Sequence, residues 1–162
     1  MKKVFGLVAV LVMLVSVSAF AQEERIAKGK SPEGKTFFLY KGLVQKQDSG
    51  WQENGIGNGL FEVVINEGLL DVRFVDAAER IVSSRADGGV VQILNKGENE
   101  VSVLVYYPGN AIEVYTFYTD NDGKNKFTLT QVRGGPSVLL PQSSIFSGDC
   151  DYIDFDKFPE PS

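Results

Sequence analysis

The chain has 162 residues, no histidine and one cysteine, and its formal net charge is −5. Without histidine it lacks imidazole bases, histidine-activated nucleophiles and the commonest protein ligand for transition metals. Its acidic balance disfavours nucleic acid and anionic membrane surfaces as partners, because both bind basic faces. We therefore expect no cofactor and no resident metal, and none of the histidine-dependent enzyme mechanisms.

Residues 1–21 form the first recognisable element and are typical of a cleavable export signal. Two lysines precede an almost unbroken apolar run over 4–15, and a small-x-small site at 19–21 precedes Gln22. The alternative is a membrane anchor, which the short apolar length and the absence of a following basic cluster disfavour. Because Gln22 stands where a lipoprotein has cysteine, we expect a periplasmic or secreted protein with no stable membrane anchor after cleavage.

The remaining chain divides into a lead-in, one domain and a short tail. Residues 22–35 are charged, contain glycine and proline, and lack apolar periodicity, which predicts a flexible lead-in. Residues 36–156 show no helical apolar spacing, whereas β-branched and aromatic runs recur between turn signals. We predict a single all-β domain there, large enough to bury a core, and a C-terminal tail over 157–162.

Short links between consecutive runs predict an antiparallel meander of about eight strands. Such a meander can close into an up-and-down barrel or fold into a two-sheet sandwich, and the sequence leaves both alternatives open. The predicted strands span 36–45, 60–66, 69–76, 79–84, 89–95, 100–107, 111–119 and 126–133, with short further pieces near 137–140 and 144–153.

The connection over 46–59 is long and irregular for a compact β domain, and it contains Trp51. Long loops often carry binding residues, so Trp51 is a candidate lid that stacks on a flat ligand at one end of the domain. The alternative is that the indole packs into the core and pins the loop.

The hairpin around Gly109–Asn110 contains the most aromatic surface. With a two-residue turn, one face would hold Tyr106, Tyr115 and Phe117 beside Glu113, a carboxylate able to orient a ligand. The alternatives are that another part of the domain covers this face, or that a three-residue turn reverses part of the assignment. Burial of both Tyr115 and Phe117 within the domain would remove the hairpin's support for binding.

Two acidic segments near the C-terminal end resemble ion sites only superficially. Asp120–Gly123 is predicted to be a hairpin turn, because the EF-hand positions that require carboxylates lack them. Cys150 lies between Asp149 and Asp151, which disfavour its thiolate, so we expect a structural thiol. An intermolecular disulfide remains the alternative.

The leading hypothesis is an exported, non-enzymatic β domain of the cell envelope that binds a small ligand or a protein partner. One alternative is an envelope hydrolase, or an inhibitor of one, using carboxylates such as Glu113 or Asp151. Paired catalytic carboxylates must lie roughly 5–10 Å apart across a cleft, and the sequence identifies no such pair. Another is a structural subunit that assembles through its aromatic face. The candidate ligand-binding residues are Trp51, Tyr106, Glu113, Tyr115 and Phe117.

Overall fold

A computed structural model describes residues 23–55, 59–75 and 78–161; the expected export signal lies outside these residues. They form an all-β antiparallel structure, as predicted, with ten strands rather than about eight and with two short 3-10 helices at Lys46–Asp48 and Phe155–Lys157. The strands are β1 Glu24–Phe38, β2 Gly50–Gly55, β3 Leu60–Asn66, β4 Leu69–Val75, β5 Ile81–Ser83, β6 Val90–Lys96, β7 Glu100–Tyr107, β8 Ala111–Thr119, β9 Asn125–Arg133 and β10 Gln142–Ile153.

All ten strands belong to one curled sheet with the shape of a half-barrel. Its order is β5-β4-β3-β1-β10-β9-β8-β7-β6, and β2 pairs with β1 outside this order. Neighbours in sequence are neighbours in the sheet from β3 to β5 and from β6 to β10, as a meander predicts. None of the helical turns in the described part of the chain has the length and apolar character needed to cross a bilayer.

Strand β1 corrects the predictions for the N-terminal part of the domain. The residues from 24 to 35, predicted to be a flexible lead-in, lie in this central strand, which pairs with β2, β3 and β10. Two irregularities in its register with β10 interrupt the regular alternation of inward and outward side chains along the strand. At Gly29 the strand lies so close to the Phe127 ring that a Cβ would be 2.7 Å from a ring carbon. Close packing therefore favours glycine where a sequence pattern expects a branched residue.

Strand β2 corrects the prediction of an irregular loop over 46–59. The segment begins with a 3-10 turn and continues as an edge strand along β1, with Trp51 opposite Phe37; residues 56–58 lie outside the described residues. Its Gln, Glu, Asn and Gly residues have low strand propensity. The segment forms a strand because its backbone pairs with β1, which its local sequence does not indicate.

The hydrophobic core fills the inner face of the sheet. It includes Phe158, so the segment over 157–162, predicted to be a tail outside the domain, contributes a core side chain. The buried residues of the core are Ile26, Ala27, Phe61, Val63, Leu70, Val72, Val91, Ile93, Val101, Val103, Val105, Tyr115, Phe117, Phe127, Leu129, Phe146 and Phe158.

The hairpin of β7 and β8 has a three-residue turn over 108–110, with Tyr107 opposite Ala111. This register places Glu113 opposite Val105 on the inner face, whereas Tyr106 is on the outer face. The face assignment based on a two-residue turn is therefore wrong, because a change of one turn residue inverts the orientation of the whole second strand.

Arg85 connects β4 and β6, which lie near opposite edges of the sheet and do not pair with each other. Its Nε donates to the carbonyl of Leu70 in β4 at 2.5 Å, and its Nη2 donates to the carbonyl of Val91 in β6 at 2.9 Å. The chain leading to it is held by buried Asp71, which accepts hydrogen bonds from the Ser83 hydroxyl at 2.6 Å and the Arg85 backbone N–H at 3.2 Å. One side chain thus spans a gap that strand pairing does not close.

Candidate functional site

A cavity of about 530 Å³ lies inside the half-barrel, at the end where β7 and β9 finish and β8 and β10 begin. Buried apolar side chains lie at its inner end, and polar and charged side chains line its sides and rim. Its volume is within the roughly 300–1,000 Å³ typical of small-molecule sites. The lining residues are Asn54, Gly59, Leu60, Phe61, Phe74, Val75, Asp87, Tyr107, Asn110, Ala111, Glu113, Tyr115, Leu129, Gln131, Arg133, Gln142 and Phe146.

Part of the cavity wall belongs to a row of buried polar side chains that crosses four strands. Glu113 of β8 lies opposite Gln131 of β9, Gln131 opposite Ser144 of β10, and Ser144 opposite Thr36 of β1. Residues opposite each other in antiparallel strands share a face, so this polar row runs directly across the sheet. The Thr36 and Ser144 hydroxyls are 2.9 Å apart, and Nδ2 of Asn54 donates to Thr36 Oγ1 at 2.9 Å.

Glu113 is the buried acid of the cavity, with 5% of its surface exposed. The Tyr115 hydroxyl donates to its Oε2 at 2.8 Å, and Nε2 of Gln131 donates to its Oε1 at 2.5 Å. None of the salt bridges among the described residues includes Glu113. A carboxylate has about four lone-pair positions, so these two donors leave Glu113 able to accept further hydrogen bonds.

Two tyrosines line the cavity near this acid. Burial raises the pKa of Tyr115 well above its ordinary value, and the Glu113 carboxylate raises it further because it disfavours a second negative charge. Burial is also the main reason that the pKa of Tyr107 rises to about 12. Both hydroxyls therefore remain protonated at neutral pH, and that of Tyr115 donates to Glu113.

The rim of the cavity is more exposed and carries charge of both signs. Arg133 and Asp87 line it with exposed side chains, and Gln142 lies opposite Arg133 in the register of β9 and β10. The positive charge of Arg133 is thus at the solvent side of the cavity, whereas the carboxylate of Glu113 is buried in its wall.

The structure separates the five predicted ligand-binding residues into three environments. Glu113 and Tyr115 line the cavity, and Phe117 is fully buried in the core with its ring stacked on Tyr115 at a centroid distance of 6.5 Å. Tyr106 and Trp51 are on the outer surface, 40% and 64% exposed. Since Tyr115 and Phe117 are both buried within the domain, the hairpin no longer supports binding on an open sheet face.

Tyr106 and Trp51 belong to a row of exposed apolar side chains on the outer face, which we call the outer apolar row. The strand registers align this row across seven strands, of which six contribute an apolar member and β10 contributes Ser143. Their exposed fractions range from 38% to 64%. The members are Val90, Tyr106, Ile112, Val132, Phe37 and Trp51.

The two aspartates beside Cys150 form ion pairs with lysines and are not among the cavity's lining residues. Asp151 pairs with Lys28 and Lys30, Asp149 pairs with Lys126, and these lysines lower the pKa of both carboxyls. Burial, with a smaller effect of the flanking carboxylates, raises the pKa of the Cys150 thiol to about 12, which confirms the expected direction. Within the described residues, no group of three or more potential metal-ligating His, Cys, Asp or Glu side chains occurs.

Sequence reasoning missed several polar members of the site, among them Gln131, Asn54 and Arg133. Gln131 follows Phe127 and Leu129 at every second position of β9, so a polar residue at an inward position was a usable signal. Asn54 gave no such signal because its segment lacks strand character, and Arg133 was indistinguishable from any charged residue at a strand end.

Comparisons of the chain with models of protein families, with curated proteins and with solved structures found no match. The function proposed for the cavity therefore depends on its own geometry and chemistry.

Proposed function

We propose that this protein is an exported, non-enzymatic β domain of the cell envelope that holds a small, partly apolar molecule in its cavity. The observation that carries this proposal is a space of about 530 Å³ with apolar side chains at its inner end and a buried, hydrogen-bonded carboxylate in its wall. Apolar walls with a few convergent polar groups are the usual composition of a small-ligand site.

The arrangement of acids favours binding over carboxylate catalysis. Asp151, the other acid named as an example for such chemistry, is not among the cavity's lining residues, and its lysine partners lower its pKa. A general acid needs a raised pKa, so Asp151 is suited to an ion pair rather than to proton donation. Tyr107 and Tyr115, whose pKa values are raised, are unsuited to act as bases at neutral pH.

Cavity binding is tested with 1-octanol as an apolar probe and isothermal titration calorimetry of the purified protein. Ala111→Phe adds a ring at an inward position that lines the cavity, and we expect it to weaken octanol binding at least about tenfold by filling the space. Ile112→Phe changes the adjacent, outward residue and is the matched control, with binding unchanged. Equal affinities in the two variants, or no octanol binding to the unsubstituted protein, would contradict the proposal.

Export is tested separately by determining the N-terminus of the protein recovered from the envelope fraction. Cleavage after Ala21 leaves Gln22 as the first residue, which is the expected result. A membrane-bound protein that retains residues 1–21 would instead support the anchor.

A second candidate function is assembly with further copies through the outer apolar row. Its six side chains are aligned across the sheet, and extended apolar surface of this kind is typical of interaction sites. Sedimentation velocity over a hundredfold range of protein concentration tests it. Association that weakens in Ile112→Lys supports assembly, and a monomer at every concentration argues against it.

A further inference from the structure

The acids and bases of the cavity differ in burial: Glu113 is buried in the wall, whereas Arg133 and Asp87 are exposed at the rim. Glu113 is 95% buried, with no cation in salt-bridge contact among the described residues, whereas the guanidinium of Arg133 is at the exposed rim. An ionised carboxylate in such a position loses hydration, and a nearby cation offsets that loss. Arg133 acts electrostatically on both cavity tyrosines but forms no salt bridge with Glu113, so a ligand ammonium at Glu113 would add a direct ion pair that the described residues do not make.

The two hydrogen bonds to Glu113 hold it as an acceptor. Tyr115 and Gln131 each donate to one carboxylate oxygen, so the group is anchored at both oxygens and retains free lone pairs. A protonated amine has only donors and therefore matches the free lone pairs of the Glu113 carboxylate. The bond between them is charge-assisted and is strengthened by the low local dielectric.

The aromatic rings beside Glu113 are also suited to an ammonium group. Tyr115 and Phe61 line the cavity with their ring centroids 5.3 Å apart in an edge-to-face arrangement. Ring faces attract organic cations, with the largest effect in desolvated sites. Leu129 and Phe146 continue the wall with apolar surface that fits a hydrocarbon body.

An anionic amphiphile fits these observations less well. If its head lay beside Glu113, two negative charges would share one buried site. If its head lay at Arg133 instead, its hydrocarbon tail would have to pack beside a buried carboxylate. An alcohol can donate to Glu113 but leaves the negative charge uncompensated.

We propose, on the basis of the proposed cavity binding, that the ligand is an amphipathic amine whose ammonium group binds Glu113 while its hydrocarbon body packs against Phe61, Leu129 and Phe146. Glu113 determines specificity for the head group, and the apolar side chains accept the body with little selectivity for its shape.

Three probes with the same chain length test this at pH 7 in the unsubstituted protein: octylammonium, 1-octanol and octanoate, each titrated by calorimetry. We expect octylammonium to bind about tenfold or more tightly than octanol, as one charge-assisted hydrogen bond would give, and octanoate to bind most weakly. Equal affinities for octylammonium and octanol, or a preference for octanoate, would overturn the amine assignment but leave cavity binding supported. Failure of all three probes to bind would overturn cavity binding itself.

Two variants test whether Glu113 causes the preference for octylammonium over octanol. Glu113→Gln keeps the size of the side chain and removes its charge, so octylammonium affinity should fall to the octanol level while octanol affinity changes less than about threefold. Glu62→Gln makes the same change at an equally buried glutamate that is not among the cavity's lining residues, and it should leave the preference for octylammonium intact. Circular dichroism melting verifies folding of each variant. Loss of the preference in a folded Glu62→Gln protein, or its persistence in a folded Glu113→Gln protein, would contradict the assignment.

Discussion

Gly34 occupies a position in β1 where the neighbouring strand leaves no room for a side chain. A Cβ there would lie 1.9 Å from the carbonyl oxygen of Ile145 and 2.7 Å from Cα of Phe146, both backbone atoms of β10. We expect Gly34→Ala to lower the free energy of unfolding by about 1–3 kcal/mol or more, the usual cost of overpacking. Urea denaturation followed by circular dichroism measures the change.

Gly97→Ala is the matched control. The nearest atom to its added Cβ is the carbonyl oxygen of Glu100 at 3.7 Å, which is ordinary van der Waals contact. We expect a change within about 0.5 kcal/mol. Similar losses in the two variants would show that close approach of β1 and β10 is not the cause.

Cys150 should be a slow nucleophile in the folded protein. Its pKa of about 12 leaves roughly a thousandfold less thiolate near neutral pH than an ordinary thiol, and its partial burial further limits access. We expect 5,5′-dithiobis(2-nitrobenzoate) to label it at rates that follow unfolding, and a non-reducing gel to show no disulfide-linked dimer. Rapid labelling without denaturant would contradict this environment.

Among the secondary-structure elements, β4 and β6 are connected through the side chain of Arg85. Arg85→Met keeps much of the apolar stem but leaves the carbonyls of Leu70 and Val91 without this donor. We expect a loss of about 1–3 kcal/mol in the free energy of unfolding, with faster hydrogen exchange in β4 and β6.

Lys35→Met provides the comparison for Arg85→Met. The Lys35 side chain is 58% exposed and pairs with Glu53, which is 80% exposed, and such surface pairs contribute little. Its expected loss is below about 1 kcal/mol. If both variants lose the same stability, the bridging geometry of Arg85 adds nothing beyond the loss of a basic side chain.

Strands with strong apolar alternation were predictable, and strands ordered by their neighbours were not. The limits of β3, β7 and β8 coincide with the predicted segments, because branched and aromatic residues alternate there between clear turns. β1 and β2 were missed because their glycines and polar residues have low strand propensity, and partner strands order them.

The inward orientation of two candidate site residues depends on the length of one turn. Glu113 and Tyr115 were selected from the sequence, but their orientation toward the interior follows from the three-residue turn over 108–110, whose length local composition does not determine. Thr36 and Ser144 complete the buried polar row only through pairing of distant strands. A single sequence contains no local signal for such pairing.

For the whole molecule, exposed ion pairs predict a stability maximum at intermediate pH. Asp149 and Asp151 have pKa values lowered by lysines from an ordinary 3.8, so their stabilisation is present above that value and is lost as pH falls through the lowered folded values. Lys30 and Lys126 have pKa values raised from 10.5, so their contribution is complete below 10.5 and is lost as pH rises through the folded values.

Urea denaturation from about pH 2 to 11 measures this profile. We expect the combined Asp149→Asn and Asp151→Asn substitutions to flatten the acid side, and added salt to act in the same direction because the pairs are exposed. An acid side that is as steep in the double variant as in the unsubstituted protein would assign the acid sensitivity to other carboxyls.

The position of β1 between β3 and β10 also determines when the sheet can form. The Thr36–Ser144 hydrogen bond joins residues 108 positions apart, and until β10 is present both β1 and β9 keep an unpaired edge. Pairing across such distances is slow, and open edges promote aggregation. A nascent chain that ends before residue 142 therefore cannot complete the centre of its sheet.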